Sequence, residues 1–428
     1  MNEMSFQSDA RCPLDNVRII DVSRFVAGNM FSMVLADLGA QVIKVEQPGK
    51  GDPIKDIRIN GVSPYWKVYA RNKKSITLNL QHPEAREILL QLVEGAQMLS
   101  ENFVPGTMEK FGLGPDVLLD RNPKLVMVRI SGWGQTGPYS RRPGFGTVAE
   151  AMSGFTAING YRDQPPVLPP ISLADMVAGI YAAMASLVAL RECETNGGKG
   201  QVIDVSLFDP LFSIMGPEAA IYKLLGRVKG RGFDANTTAG GRNVYETKDG
   251  RWIAMSSSTQ LMAERYFKAM GREDLLEDPR FATTPARLQN QEELDAILQD
   301  FYGQRTFDEN MAFIAEHNLP ASPVYDIDQI LQDPHVQARR AVVEVPDREG
   351  EMDSIPMHNV VPILSGTPGA IRRPAPRLGE HNAEILAELG LTNAHLERLA
   401  AGAGFELRRR DFYYRPFESP VPPPVAGA

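Results

Sequence analysis

A chain of 428 residues is long enough for two or three domains at the ~150 residues typical of one, which excludes a lone small binding module. Hydrophobic residues at 43% and charged residues at 23% are ordinary for a soluble globular chain and unlike a disordered or fibrous one. With 45 Lys+Arg against 53 Asp+Glu, a net charge of -8 and no basic run longer than Arg408-Arg409-Arg410, nucleic acid is disfavoured as the main partner.

Val17 to Val22 reads as a strand, followed by a turn through Gly28, a helix from about Asn29 to Leu38 and a strand from Gln41 to Glu46. This βαβ unit implies a parallel sheet. Lys74 to Leu80 is strand-like, Pro83 opens a helix running to about Gly95, and Leu125 to Ser131 is another strand that breaks into the glycine-rich loop Ser131-Gly132-Trp133-Gly134-Gln135-Thr136-Gly137-Pro138. The helix from Ser172 to Glu192 is apolar on nearly every face and should be buried. A strand Val202 to Leu207 follows. The first ~200 residues therefore read as one open, Rossmann-like α/β domain. Glycine and polar residues thicken between Gly226 and Gly241, a connector, and Val244 to Met255 looks like a hairpin turning at Lys248-Asp249-Gly250. Helices to about Asn318 complete a smaller α+β domain. A strand from Ala341 to Val345 and a helix from Glu380 to Leu389 follow, before a proline-rich tail at Pro420 to Pro424.

Two cysteines, Cys12 and Cys193, are too few for a disulfide framework or a Cys-rich zinc site, and suit a reducing compartment. The N-terminus lacks the apolar core of a signal peptide, and no uninterrupted apolar run of ~18 residues occurs, so the chain reads as cytoplasmic and free of the membrane. The first βα turn, Ser23-Arg24-Phe25-Val26-Ala27-Gly28-Asn29, is the default ligand crevice of an open α/β sheet, but its single glycine does not make a dinucleotide fingerprint. Glu46 ends the second strand either as a ribose-binding acid or as a solvated terminus. None of the six histidines falls between positions 83 and 316, so the central stretch holds no local His-based triad or His-x-x-x-His zinc site. Asp175 stands out at the start of the apolar helix: Ser172-x-x-Asp175 fits a capping box variant, and the helix dipole also favours an ionised carboxylate able to attack a carbonyl.

At these residues the chain resembles the family III CoA-transferases, which include formyl-CoA:oxalate and carnitine-related enzymes and, as a side branch, the α-methylacyl-CoA racemases. The resemblance runs from about Pro13 to Leu391. It is carried in order by Asp37-Leu38-Gly39-Ala40-x-Val42-Ile43-Lys44-Val45-Glu46, Arg71-Asn72-Lys73-Lys74-Ser75, Glu101-Asn102-Phe103-Val104-Pro105-Gly106, Gly132-Trp133-Gly134-Gln135-Thr136-Gly137-Pro138, Leu173-Ala174-Asp175, Gly198-Lys199-Gly200-Gln201, Lys248-Asp249-Gly250 and Leu378-Gly379-Glu380-His381.

The resemblance implies a large domain begun by residues 1–210 and completed by residues 326–428, a connector at 211–240, a small domain at 241–325, and a homodimer of interlocked subunits. It implies Asp175 as nucleophile and CoA across Phe25, Val26 and Ala27, with Gln47, Asn72, Lys73, Asn102, Phe103 and Lys110 around it. Gln47 and Lys110 stand where the oxalate enzyme has arginines. Gly240 and Gly241 loosely match the family's flexible glycine loop. Phe145 occupies the place of the racemases' histidine and cannot shuttle a proton, so transfer is preferred over epimerisation, with Glu150 the first replacement base to test. The alternatives are a racemase-like enzyme and a non-catalytic CoA-binding subunit. Asp175 would attack an acyl-CoA thioester to give an aspartyl anhydride, needing no metal and no tightly bound cofactor. Trp133 lies in the loop at the site, and Arg24, Arg141, Arg142 and Lys73 favour a dicarboxylate acceptor.

Overall fold

The computed structural model describes residues 2–232, 240–392 and 395. The chain divides into two compact units. The larger comprises Asn2–Ala149, Ser172–Leu211 and the segment from Val343 onward; the smaller comprises Glu150–Ile171 and Phe212–Val342. The stretches 150–171 and 326–342, read from the sequence as large-domain chain, thus group with the smaller unit.

The larger unit is built on six strands: β1 (Arg18–Asp21), β2 (Gln41–Glu46), β3 (Lys73–Thr77), β4 (Met98–Glu101), β5 (Val126–Ser131) and β6 (Gln201–Ser206). All pair in parallel, in the spatial order β3-β2-β1-β4-β5-β6. Adjacent residues point to opposite faces, so Ile19, Val42, Met98 and Val126 enter one core while Ile20, Ile43, Leu99 and Met127 enter another. Burial on both faces suits the apolar pairs and runs Ile19-Ile20 in β1, Val42-Ile43 in β2 and Val126-Met127-Val128 in β5. β4 is short and escapes the sequence pattern because Met98-Leu99-Ser100-Glu101 offers only two apolar residues.

Helix α1 (Phe25–Asp37) and the 23-residue α4 (Leu173–Thr195) cover the first face, and α2 (Pro83–Glu94) covers the second together with α3 (Pro115–Arg121) and the helix Asn382–Glu388 from the return segment. By length and mean hydropathy (1.8) α4 resembles a membrane span. In the fold its small residues Ala174, Ala178, Ala182, Ala183, Ser186 and Ala189 are buried, whereas Ile180, Met184 and Val188 stay exposed at 50%, 56% and 68%. The helix is therefore not buried all round in a single chain. Val343 pairs with Asn2 in a separate small sheet that closes the N-terminus onto the return segment.

The smaller unit holds an antiparallel hairpin, β7 (Arg242–Glu246) and β8 (Trp252–Ser256), extended by β9 (Ala321–Pro323). Helices including Gln260–Ala269, Gln291–Gly303 and Phe307–Glu316 enclose its own core around Tyr245, Phe267, Leu294 and Leu298. The tail at 420–424 lies outside the described residues.

Candidate functional site

Strand order reverses between β1 and β4, so the chain leaves these neighbours in opposite directions and opens a crevice beyond their C-terminal ends. The first βα turn occupies it. Phe25 adopts a left-handed backbone (φ 58°), which costs about 1–3 kcal/mol for a bulky residue and must be held by its surroundings. Asn102, just past β4, grips the preceding residue from both sides: its Oδ1 accepts from the Arg24 amide (2.8 Å) and its Nδ2 donates to the Arg24 carbonyl (2.6 Å). Beneath the turn Asp21, Lys44, Lys73 and Asp52 are buried together. Lys44 lies 3.4 Å from Asp21 and 3.2 Å from Asp52, and Lys73 lies 3.7 Å from Asp21. Burial opposes the charge on Asp21 and Lys44, but their attraction to partners outweighs it, holding Asp21 below the usual carboxylate range and Lys44 above the usual lysine value. Lys73 is different. Burial pushes it down to about 7, against the pull of Asp21 and with help from Lys44.

Asp175 reaches this turn through helix packing. A Cβ on Gly179 would stand 2.8 Å from both the Ala27 carbonyl oxygen and the Met30 Cβ, so the α1–α4 seam is too close there for any side chain. Asp175, four residues earlier, shares that face one turn, about 6 Å, nearer the helix N-terminus. Both helices begin at the C-terminal edge of the sheet, so Asp175 stands partly buried beside the first βα turn, and Met176 packs against the cluster of Val26, Ile54, Trp66 and Ala70. Ser172 is the N-cap residue but makes no side-chain cap bond, so the capping box read from the sequence does not form.

The loop after β5 is folded back on itself by two glycines. A Cβ on Gly132 would meet the Gly144 Cα at 2.6 Å, and Trp133 Nε1 donates to the Pro143 carbonyl (3.1 Å). This closure brings the Phe145 ring edge-on to Phe25, with centroids 6.5 Å apart and both rings partly exposed. Arg24 lies over the Phe103 ring (4.9 Å) and Arg142 over Tyr139 (3.8 Å). The structure thus brings Arg24, Phe25, Val26, Ala27, Asn102, Phe103, Phe145 and Asp175 to one edge. Gln47, just beyond β2, and Lys110 are exposed.

Other residues singled out in the sequence have internal roles. The Lys73 side chain is enclosed and donates to the Asn29 carbonyl (3.1 Å) and Oδ1 (2.8 Å), so it offers no surface to CoA or to an acceptor acid. Asn72, 7% exposed and left-handed (φ 65°), donates to Asp37 and to the Ala370 carbonyl and accepts from the Arg372 and Arg373 amides. Its side chain stitches the return segment to the sheet. Glu46 is neither a ribose acid on a free edge nor a solvated terminus: it is 3% exposed and accepts from Ser75 Oγ and the Asp52 amide, with Lys55 at 2.6 Å. In the smaller unit Gly240 and Gly241 are buried, pinned by Ser257 and packed on Arg287. Glu150 is buried there as well. The sequence reading gives Asp52 and Asn29 no role; the Gly51-Asp52 pair after β2 is the local signal that could have marked a side chain folding back.

Residues 14–382 match the family described as CoA-transferase family III. The chain is 41% identical over 402 residues to a succinyl-CoA–D-citramalate CoA-transferase of Chloroflexus aurantiacus, covering 93% of this chain and 99% of the relative. It is 38% identical to the beta subunit of a succinyl-CoA–L-malate CoA-transferase of the same organism, covering 90% and 96%. A crystal structure of a CAIB/BAIF family protein from Brucella suis superposes with a TM-score of 0.76 at 30% identity, covering 89% of this chain and all of that one. With the same α/β architecture and full-length similarity to named CoA-transferases, the chain belongs to CoA-transferase family III and is an enzyme that moves CoA from an acyl-CoA to a carboxylic acid.

Proposed function

We propose that Asp175 is the nucleophile, and that succinyl-CoA is the donor and a dicarboxylic acid the acceptor. The observation that carries this is the close α1–α4 seam at Gly179, which stands Asp175 beside the strained first βα turn. The Asp175 carboxylate attacks the thioester carbonyl; the C–S bond breaks, and the CoA thiolate leaves a mixed anhydride. The thiolate then attacks the aspartyl carbonyl, releasing the donor acid and forming an aspartyl thioester. The acceptor carboxylate displaces CoA from it to give a second anhydride, whose acceptor carbonyl CoA attacks, restoring the free carboxylate. Every bond balances without a metal or redox cofactor. The first-turn amides of Val26 and Ala27 have no intrahelical acceptor, and with the positive end of the α1 dipole they favour the negative charge that develops on the thioester oxygen. CoA lies across Phe25, Val26 and Ala27, with Gln47, Asn102, Phe103 and Lys110 along it, while Trp133 and Phe145 shield the anhydride from water.

The dicarboxylate assignment is supported by Arg24, whose guanidinium sits over Phe103 at the same edge, and by relatives named for citramalate and malate. The functional unit in this reading is a homodimer working in the cytoplasm, supported by the exposed apolar stripe of α4 and by two free, buried cysteines. Hydroxylamine added to enzyme and succinyl-CoA should yield a hydroxamate on Asp175, and Asp175→Ala should fold but lose exchange of labelled CoA between free and thioester pools. A hydroxamate elsewhere, or turnover in the variant, overturns the assignment.

A further inference from the structure

Asp52 lies 27 residues beyond Phe25, outside the first βα turn and outside the CoA contacts proposed above, yet it is almost fully buried against that turn. Its Oδ1 accepts from the Phe25 amide (3.0 Å) and from Ile54 (3.0 Å), and its Oδ2 accepts from Asn29 Nδ2 (2.7 Å). Asn29 Nδ2 in turn donates to the Phe25 carbonyl (2.6 Å). Both peptide groups flanking the left-handed Phe25 are thereby held from one carboxylate, directly on the amide side and through Asn29 on the carbonyl side. Of the turn's own side chains Asn29 takes part, itself held by Asp52, whereas the N-cap residue Arg24 makes no side-chain cap bond. Asp52 is itself fixed by Lys44 at 3.2 Å and, through its amide, by Glu46 at the end of β2.

We infer that Asp52 is a positioning residue for CoA transfer: it clamps Phe25 in its left-handed conformation and so presets the Val26 and Ala27 amides for the acyl-CoA. This rests on the reading of the first βα turn as the acyl-CoA site. An amide side chain at position 52 puts a second donor where either Asn29 or Phe25 already donates, so one of the two holds is lost. The turn then relaxes toward ordinary backbone, and binding must restore the strained form each time.

The test is a cycle of Asp52→Asn and Phe25→Gly, because glycine adopts a positive φ without a clamp. With wild type as reference, Asp52→Asn should raise KM for succinyl-CoA about tenfold while kcat stays within about threefold, as expected for loss of preorganisation. In the Phe25→Gly background the same substitution should change KM less than about twofold. An equal penalty in both backgrounds, which a merely structural Asp52 would give, overturns the inference, as does an unchanged KM. Should Asp52→Asn not fold, Asn29→Ala removes the hold on the Phe25 carbonyl with all four buried charges kept, and the same coupling to Phe25→Gly is required. If wild type neither binds nor exchanges CoA, the reading of the turn as the acyl-CoA site fails, and the role of Asp52 with it; an active wild type with no coupling rejects the clamp alone.

Discussion

Lys73 starts β3 with its ammonium enclosed between Asn29 and Asp21, and that placement has a consequence for stability. Its pKa is about 7 in the fold against 10.5 for an ordinary lysine. Between these values the unfolded chain binds the extra proton, so this residue's contribution to stability rises with pH, by at most about 1.4 kcal/mol per unit, and is lost as pH falls through 7. Denaturant unfolding at pH 6.5 and 9 should therefore show wild type gaining on Lys73→Met at the higher pH. Parallel curves would contradict it. The family resemblance implies Lys73 beside CoA, and its charge favours an acidic acceptor. Which side of the sheet it enters, and that Asn29 waits there, depends on the register of β3 against β2 and on α1, neither of which local spacing records.

At the scale of elements, the α1–α4 seam decides where Asp175 stands. Gly179→Val would drive two methyl groups toward the Ala27 carbonyl and Met30, atoms already 2.8 Å from a Cβ. Overpacking of this kind costs about 1–3 kcal/mol, and the helices part where the proposed nucleophile would meet the thioester. Unfolding should show the lost stability, and kcat should fall by more than KM rises; an unchanged kcat would separate the seam from the chemistry. The boundaries of both helices were close to legible from apolar periodicity, α1 beginning four residues before its sequence-based start. The seam was not, because Gly179 in a long apolar helix carries no mark of the carbonyl packed against it.

For the whole molecule, Ile180, Met184 and Val188 recur at four-residue spacing on one exposed face of α4. A homodimer that covers this stripe should sediment at twice the 47.2 kDa chain, and Met184→Glu with Val188→Glu should shift it toward monomer. A wild-type monomer with full activity would reject the proposal. The parallel α/β class and most of the strands were readable along the chain, because strands buried on both faces carry apolar runs that a local window records. Packing in three dimensions is what makes Arg71-Asn72-Lys73-Lys74-Ser75 stitching, bonded to Asp37, Ala370, Asn29, Glu384 and Glu46, and what brings Asp52 to the Phe25 amide. A side chain's partners across tens or hundreds of residues depend on register, burial and helix approach, which are properties of the packed chain and not of any window along it.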